Sequence, residues 1–198
     1  MKADESSQKG KALITEARQM IERLQKEMRE CWERDLPLEE LLCDRWERAQ
    51  RLGFGTGSSI YQSSYVYGDV SVGEETWIGP LTLLEGSGGL SIGSHCSISA
   101  GTHIYTHDSV RWALSGGSAK YERAPVHIGD CCHIGANVVI LKGVTIGHHA
   151  VIGASSLVNK DVAPYTIAVG SPCRPAGKVK IGKDGEIALE MFGSAETG

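Results

Sequence analysis

Isoleucine occupies every sixth position in the stretch Ile128-Gly-Asp-Cys-Cys-His-Ile-Gly-Ala-Asn-Val-Val-Ile140 and in its continuation Leu141-Lys-Gly-Val-Thr-Ile146. A period of six matches neither the helical turn of 3.6 residues nor the two-residue alternation of a strand. It fits a chain that forms a short strand, turns a corner and starts another strand on the next side of a prism, so that each isoleucine points inward. The stretch therefore predicts a parallel β-helix with three strands per coil.

The same period continues in both directions and gives fourteen repeats in three blocks. The inward aliphatic residues are Ile60, Val66, Val72, Ile78 and Leu84, then Ile92, Ile98 and Ile104, then Ile128, Ile134, Ile140, Ile146, Ile152 and Val158. Four positions later the residue is small in every repeat except one, where Asp108 stands. Glycine follows the aliphatic residue in half of the repeats, which predicts turns with backbone angles that favour glycine. At eighteen residues per coil, the repeats predict nearly five coils.

Two interruptions break the period. Two extra residues lie in the segment Glu85-Gly-Ser-Gly-Gly89, and the repeat disappears for about twenty residues after Ile104. A long insertion in a regular solenoid is uncommon without a use. We therefore expect a protruding functional loop over residues 105–125.

The first fifty residues have helical rather than six-residue periodicity. An apolar stripe over residues 11–30 predicts an amphipathic helix, and a second helix is predicted from an N-cap at Asp35 to a stop at Gly53. The expected organisation is a helical region over 1–54, a β-helix over 55–180 and a tail over 181–198 with a hairpin turn at Gly182-Lys-Asp-Gly185. The fold class is mainly β.

Composition excludes several classes of partner. The net charge is −4, and no block of like charge predicts binding to nucleic acid or anionic lipid. The N-terminus lacks the apolar core of a secretion signal, and no stretch approaches the roughly 18 apolar residues of a membrane span. We expect a cytoplasmic protein whose six cysteines are reduced thiols.

Several motifs together resemble the hexapeptide-repeat acyltransferases over roughly residues 58–180. They are Ile128-Gly-Asp-Cys-Cys-His-Ile-Gly-Ala-Asn-Val-Val-Ile140, Gly143-Val-Thr-Ile-Gly147, Val151-Ile-Gly-Ala154, Val158-Asn-Lys-Asp-Val162 and Ala168-Val-Gly-Ser-Pro-Cys-Arg174. The chain looks most similar to the branch of the maltose and galactoside acetyltransferases and the acetyltransferases of polysaccharide biosynthesis. The resemblance implies a left-handed β-helix, a homotrimer with active sites between subunits, and acetyl coenzyme A as acyl donor.

Acyl transfer to a hydroxyl or amine needs a base, and histidine has a suitable pKa. His107 lies where the regular stack gives way to the loop, and the resemblance also selects it as the catalytic base. Glu85, at the first interruption, is expected to orient this histidine or to hold the acceptor. The alternatives are a solvated loop histidine at 107, an exposed turn carboxylate at 85, and His103 as the base.

The implied acceptor is a sugar or a sugar nucleotide, acylated on oxygen or nitrogen. In the loop, Asp108, Arg111 and Trp112 are the predicted acceptor contacts, with the indole as a stacking face. Rigidity of the loop is the other explanation for this tryptophan.

Charge placement predicts where the coenzyme phosphates dock. No Lys or Arg stands between Arg51 and Arg111, whereas Lys142, Lys160, Arg174, Lys178, Lys180 and Lys183 gather in the last coils and beyond. The resemblance places Asn159, Lys160 and Arg174 on the phosphates and Ala136 and Ala154 along the pantetheine arm, and Lys178 belongs to the same basic end. Many relatives carry Trp where this chain has His133, which alters that wall of the site.

Two other function classes share this fold. A zinc-dependent carbonic anhydrase needs three convergent histidines, but Ala136-Asn137 and Leu141-Lys142 hold none where two are expected. We therefore predict no metal site. A scaffold without catalytic activity would bind no acetyl coenzyme A.

Overall fold

The structure, a computed structural model, describes residues 2–193. These residues form two compact units that divide between Asp44 and Arg45, whereas the boundary predicted from the sequence follows residue 54. The first unit contains α1 (Lys2–Trp32) and α2 (Leu38–Leu42). Within residues 2–193, no helix combines the length and the apolar character needed to cross a bilayer.

Two short helices replace the single helix predicted after residue 34. The prediction of Asp35 as N-cap is wrong, because α2 begins at Leu38 with Pro37 at the N-cap position. Cys43 then adopts extended backbone angles, which end the helix (φ −127°, ψ 126°). The apolar stripe resumes on α3 (Arg45–Arg51), which belongs to the second unit.

The predicted stop at Gly53 is confirmed. Its φ of 75° lies in the left-handed region that favours glycine at a helix C-terminus. The turn lets the Phe54 amide donate a hydrogen bond to the Ala49 carbonyl at 3.0 Å. The chain thereby leaves α3 and enters the first coil.

The second unit contains the predicted parallel β-helix. Each coil has three faces, and the strands of successive coils pair in parallel. The first face consists of β1 (Ser59–Ile60), β3 (Trp77–Ile78), β5 (Ser97–Ile98), β10 (His133–Ile134), β13 (Val151–Ile152) and β15 (Thr166–Val169).

Two longer strands, β2 (Tyr65–Val72) and β4 (Leu83–Ile92), bend from the second face to the third. The second face continues with β6 (His103–Ile104), β11 (Val139–Ile140) and β14 (Leu157–Val158). The third face continues with β9 (Val126–Ile128) and β12 (Thr145–Ile146).

The repeated aliphatic residues form the core, as predicted. Register pairs Ile60 with Ile78, Ile78 with Ile98, and Ile98 with Ile134, so these side chains stack in a column along the axis. The exposed fraction of each of these four side chains is 0%. Each coil therefore depends on its neighbours to complete its core.

The prediction of unusual backbone angles at the repeated glycines is wrong. Neither Gly129 nor Gly135 has a positive φ, whereas Cys131 and Asn137, two positions later, both have a φ of 57°. The glycines are required by the close approach of the next coil. A Cβ at Gly129 would lie 2.6 Å from the His148 amide nitrogen.

The end of the β-helix region and the tail together form an antiparallel hairpin that extends the first face. It consists of β16 (Arg174–Ile181), which pairs with β15, and β17 (Ile187–Met191). The turn predicted at 182–185 is confirmed, and the Gly182 amide donates to the Glu186 carbonyl at 2.8 Å. Residues 194–198 of the predicted tail lie outside the described residues.

Both interruptions fall on one edge of the prism. This second edge, between the second and third faces, comprises residues 67–69, 85–89, 105–125, 141–143 and 159–161 of successive coils. The loop over 105–125 contains β7 (His107–Asp108), α4 (Val110–Leu114) and β8 (Glu122–Arg123), and β7 pairs antiparallel with β8. The first edge, between the first and second faces, carries Ala136 and Ala154.

We predict that truncation inside the column destabilises the stack far more than truncation in the tail. Ile134→Ala leaves a cavity between two coils and should lower the free energy of unfolding by about 2–5 kcal/mol. The matched control is Ile187→Ala, because this side chain is 66% exposed; its effect should stay below about 1 kcal/mol. Urea unfolding followed by circular dichroism measures both, and equal effects would contradict the inward stacking.

Candidate active site

Three successive coils bring Glu85, His107 and Lys142 to the second edge. Glu85 lies in β4 of the second coil, His107 begins β7 in the third, and Lys142 lies at the corner between β11 and β12 of the fourth. Because the coils stack in register, side chains at one corner become neighbours whatever their separation in sequence. Both predicted catalytic residues are therefore in contact.

The Glu85 side chain is 7% exposed, so the alternative of an exposed turn carboxylate does not hold. Its Oε2 atom accepts a hydrogen bond from the Thr106 amide at 2.9 Å, and its Oε1 atom accepts one from the Ser87 amide at 2.8 Å. The Thr106 hydroxyl also lies 3.1 Å from Oε2. Burial acts to raise the pKa of Glu85, but hydrogen bonds from Ser87, His107 and Thr106 outweigh it and lower this pKa to about 2. The buried group is a carboxylate at neutral pH.

His107 is oriented by this carboxylate. Its Nδ1 atom lies 2.8 Å from Glu85 Oε2 and 3.3 Å from the Ser87 hydroxyl. An ionised carboxylate only accepts hydrogen bonds, so Nδ1 carries the proton and Nε2 of the neutral ring carries the lone pair. With 32% of the side chain exposed, the ring is accessible yet held by a partner. The structure therefore does not favour the alternative that His107 is a solvated loop histidine.

A chain of ion pairs connects the loop to the fourth coil. Lys142 Nζ lies 3.1 Å from Asp108 Oδ2 and 3.1 Å from Glu122 Oε2, and Arg111 Nε lies 2.5 Å from Glu122 Oε1. A hydrogen bond from Lys142 lowers the pKa of Asp108. The predicted acceptor contacts Asp108 and Arg111 are thus already engaged in ion pairs within the protein.

Aromatic rings extend from the histidine into the loop. The Tyr121 ring centroid lies 6.0 Å from that of His107 and 5.5 Å from that of Trp112. Trp112 and Tyr121 are 42% and 41% exposed, respectively. Together they present a half-exposed aromatic surface beside the imidazole.

The residues predicted to bind the coenzyme are divided between the two edges and the strand that extends the first face. Asn159 and Lys160 follow β14 on the second edge, two coils beyond His107, whereas Arg174 and Lys178 lie in β16, which pairs with β15 on the first face. All four are exposed. By contrast, the predicted pantetheine contacts stack on the first edge, where the Ser155 amide donates to the Ala136 carbonyl and Ala154 follows β13.

His103, the competing base, lies on a face of the prism. It pairs in register with Leu83 and Val139, and its Nδ1 atom lies 3.5 Å from the Tyr105 hydroxyl. This contact is a neutral hydroxyl, whereas His107 contacts a buried carboxylate. The geometry favours His107.

Sequence reasoning missed Thr106 and the loop-facing role of Lys142. Thr106 is fully buried and its hydroxyl accepts a hydrogen bond from the Gly88 amide at 2.8 Å, which fixes the first interruption against the loop. No periodic signal marks it, because it lies between β6 and β7. The charge pattern groups Lys142 with the basic residues of the last coils, because nothing in the sequence shows that the loop folds toward it.

Among the described residues, no group of three or more His, Cys, Asp or Glu side chains is arranged to hold a metal ion. The six cysteines are unpaired, and Cys96, Cys132 and Cys173 are buried. Burial raises the pKa of the Cys173 thiol.

Comparison with known families places the repeat among bacterial transferases. Residues 125–160 match the family model described as bacterial transferase hexapeptide, with six repeats. A hexapeptide-repeat acetyltransferase of Vibrio cholerae, solved with acetyl coenzyme A, is 29% identical, with a TM-score of 0.58; the match covers 85% of this chain and 90% of that one.

Two curated relatives align over shorter parts. An inferred acetyltransferase of Staphylococcus aureus is 50% identical over 60 residues, which are 30% of this chain and 30% of that protein. The galactoside O-acetyltransferase of Escherichia coli is 31% identical over 124 residues, covering 52% of this chain and 61% of that protein. The chain thus spans less than a third of the staphylococcal relative and less than two thirds of the E. coli one.

We predict that Glu85 makes stability depend on acid pH. Its pKa is about 2 in the folded chain against an ordinary 4.5, so its contribution is present above pH 4.5 and is lost as the pH falls toward 2. Glu85→Gln should lower the free energy of unfolding by roughly 3 kcal/mol at pH 7 and by much less near pH 2.5. Urea titrations of both proteins at the two pH values measure this, and a difference that does not change with pH would contradict the assignment.

Proposed function

We propose that this chain, whose residues 125–160 match the bacterial transferase hexapeptide family, transfers an acetyl group from acetyl coenzyme A to a sugar or sugar-nucleotide acceptor, with His107 as general base. The observation that carries this proposal is the contact of 2.8 Å between His107 Nδ1 and the buried carboxylate of Glu85. The names of the relatives support the reaction class, since one is a galactoside O-acetyltransferase and another binds acetyl coenzyme A.

The pair of His107 and Glu85 suits proton transfer from a weakly acidic acceptor. Nδ1–H donates to Glu85, so Nε2 can accept the proton of the acceptor hydroxyl or amine while the nucleophile attacks the thioester carbonyl. The carboxylate then stabilises the imidazolium through the same hydrogen bond. His107 finally returns its proton to the departing thiolate sulfur, which restores the starting state.

The coenzyme would supply the acyl group, activated as a thioester. Its phosphates fit the exposed cations Lys160, Arg174 and Lys178, none of which forms a salt bridge within the described chain. Asn159 adds a neutral donor at the same end. Such cations attract phosphate through charge-assisted hydrogen bonds.

The acceptor would lie against the loop on the other side of the imidazole. Trp112 and Tyr121 provide the apolar surface on which a sugar ring can pack. Asp108 and Arg111 are proposed to contact acceptor hydroxyls through the lone pairs and N–H groups that their ion pairs leave available. The aromatic surface gives the site its preference for a ring-shaped acceptor.

A homotrimer would complete the site. His107 lies on the second edge, whereas Ala136 and Ala154 lie on the first edge of the same chain. One chain therefore cannot line a single groove with both. In a closed ring of three copies, the first edge of one copy can lie beside the second edge of the next.

We predict that His107→Ala lowers kcat by roughly a hundredfold to ten-thousandfold, the usual contribution of a general base. Coenzyme binding, measured by calorimetry, should not change, because the ring contacts the reacting acceptor rather than the phosphates. His103→Ala is the control and should retain most of the activity. Thiol release from acetyl coenzyme A with a panel of sugars and nucleotide sugars provides the assay, and full turnover by the His107 variant would overturn the mechanism.

We predict that two inactive variants complement each other in mixed oligomers. Ala154→Trp should block the pantetheine groove at an exposed position, and His107→Ala removes the base. If each site combines the two edges of different copies, coexpression in equal amounts should restore about a quarter of the wild-type sites. Recovery of no activity, with both chains present in the same oligomer by mass spectrometry, would place each site within one chain.

A further inference from the structure

We propose that Lys142 is a positioning residue that attaches the hairpin carrying His107 to the fourth coil. The inference builds on the proposed role of His107 as base. Lys142 belongs to the regular stack, whereas both of its ion-pair partners belong to the inserted loop. A single ammonium group therefore links the rigid part of the molecule to the part that holds the imidazole.

The ammonium group contacts both strands of the loop hairpin. Asp108 in β7 and Glu122 in β8 are register partners, and their carboxylates each lie 3.1 Å from Lys142 Nζ. A two-stranded hairpin is marginal by itself in water. Bridging opposite positions of both strands fixes their separation as well as their distance from the coil.

Alternation along β7 then aims the imidazole. Neighbouring side chains of a strand point to opposite sides, so an anchor at Asp108 turns His107 toward Glu85. The end of the loop lies beside the same corner. A Cβ atom added at Gly143 would lie only 3.3 Å from the Ala124 Cβ. The loop is thus held at its entry by Asp108 and at its exit by Glu122 and Ala124.

Lys142 is poorly suited to serve as one more phosphate contact. Its charge is already shared by two carboxylates, and hydrogen bonds to Glu122 and Asp108 raise its pKa. Only 25% of its side chain is exposed, against 77% for Arg111, the other cation of the network. The screening by water that weakens exposed pairs is therefore smaller at Lys142.

The experiment compares Lys142→Met, Lys142→Arg and the wild-type chain. The control is Lys26→Met, which removes a lysine from an exposed ion pair on α1. Three kinds of measurement are made on the full chain. The first is the rate of chymotrypsin cleavage at Trp112, Leu114 and Tyr121. The second is the Kd for coenzyme A, and the third determines kcat and KM separately. Chymotrypsin is chosen because none of these substitutions alters its sites in the loop.

We expect Lys142→Met to speed loop cleavage at least about fivefold, since the loop opens more often. Its kcat should fall roughly tenfold to a hundredfold, as misplacement of a reacting group does, with the Kd for coenzyme A unchanged. Lys142→Arg should recover most of both properties, and Lys26→Met should resemble the wild type. If Lys142→Met does not fold, Glu122→Gln tests the same attachment from the loop side.

Unchanged cleavage, or a weaker Kd for coenzyme A as the main effect, would overturn the proposal and make Lys142 a phosphate contact or a dispensable residue. The cleavage and binding measurements need no turnover. A wild-type chain that transfers no acetyl group would therefore refute the proposed function, while the cleavage rates would still decide whether Lys142 holds the loop.

Discussion

The in-register stacking of the coils is the constraint on which the structure depends. Backbone amides of one coil donate to carbonyls of the next, as the His133 amide does to the Ala150 carbonyl at 2.9 Å. These bonds leave so little room that a Cβ at Gly135 would lie 2.6 Å from the Ala154 amide nitrogen. Any residue at a corner is thus placed beside the residue at the same corner one coil away.

This constraint explains how a carboxylate can be buried at the second edge. Burial removes Glu85 from water. The Thr106 amide of the adjoining coil then donates a hydrogen bond in place of the one that water would have donated. The satisfied carboxylate in turn fixes the tautomer of His107. A stable corner and an oriented imidazole are therefore consequences of one hydrogen-bond network.

The distribution of charge distinguishes the loop from the C-terminal end of the β-helix. The loop network alternates in sign from Asp108 through Lys142 and Glu122 to Arg111, so its charges are largely compensated. The cations beyond it, at Lys160 and Arg174, have no such compensation among the described ion pairs. The electrostatic attraction for an anionic ligand is therefore greater at the last coils than at the loop.

The sequence by itself determined the β-helix and its two interruptions, and it marked His107 and Glu85 at those interruptions as candidates. It could do so because a period of six matches neither a helix nor a flat strand but fits short strands joined at corners, and because an interruption of that period is visible without coordinates. It misjudged the repeated glycines, because a need for space between coils and a need for positive φ select the same residue. Only the tertiary structure decided that Thr106 is buried in contact with Glu85 and that Lys142 forms ion pairs with both strands of the loop hairpin. Those contacts join segments far apart in sequence, and an aperiodic loop carries no signal of the direction in which it folds.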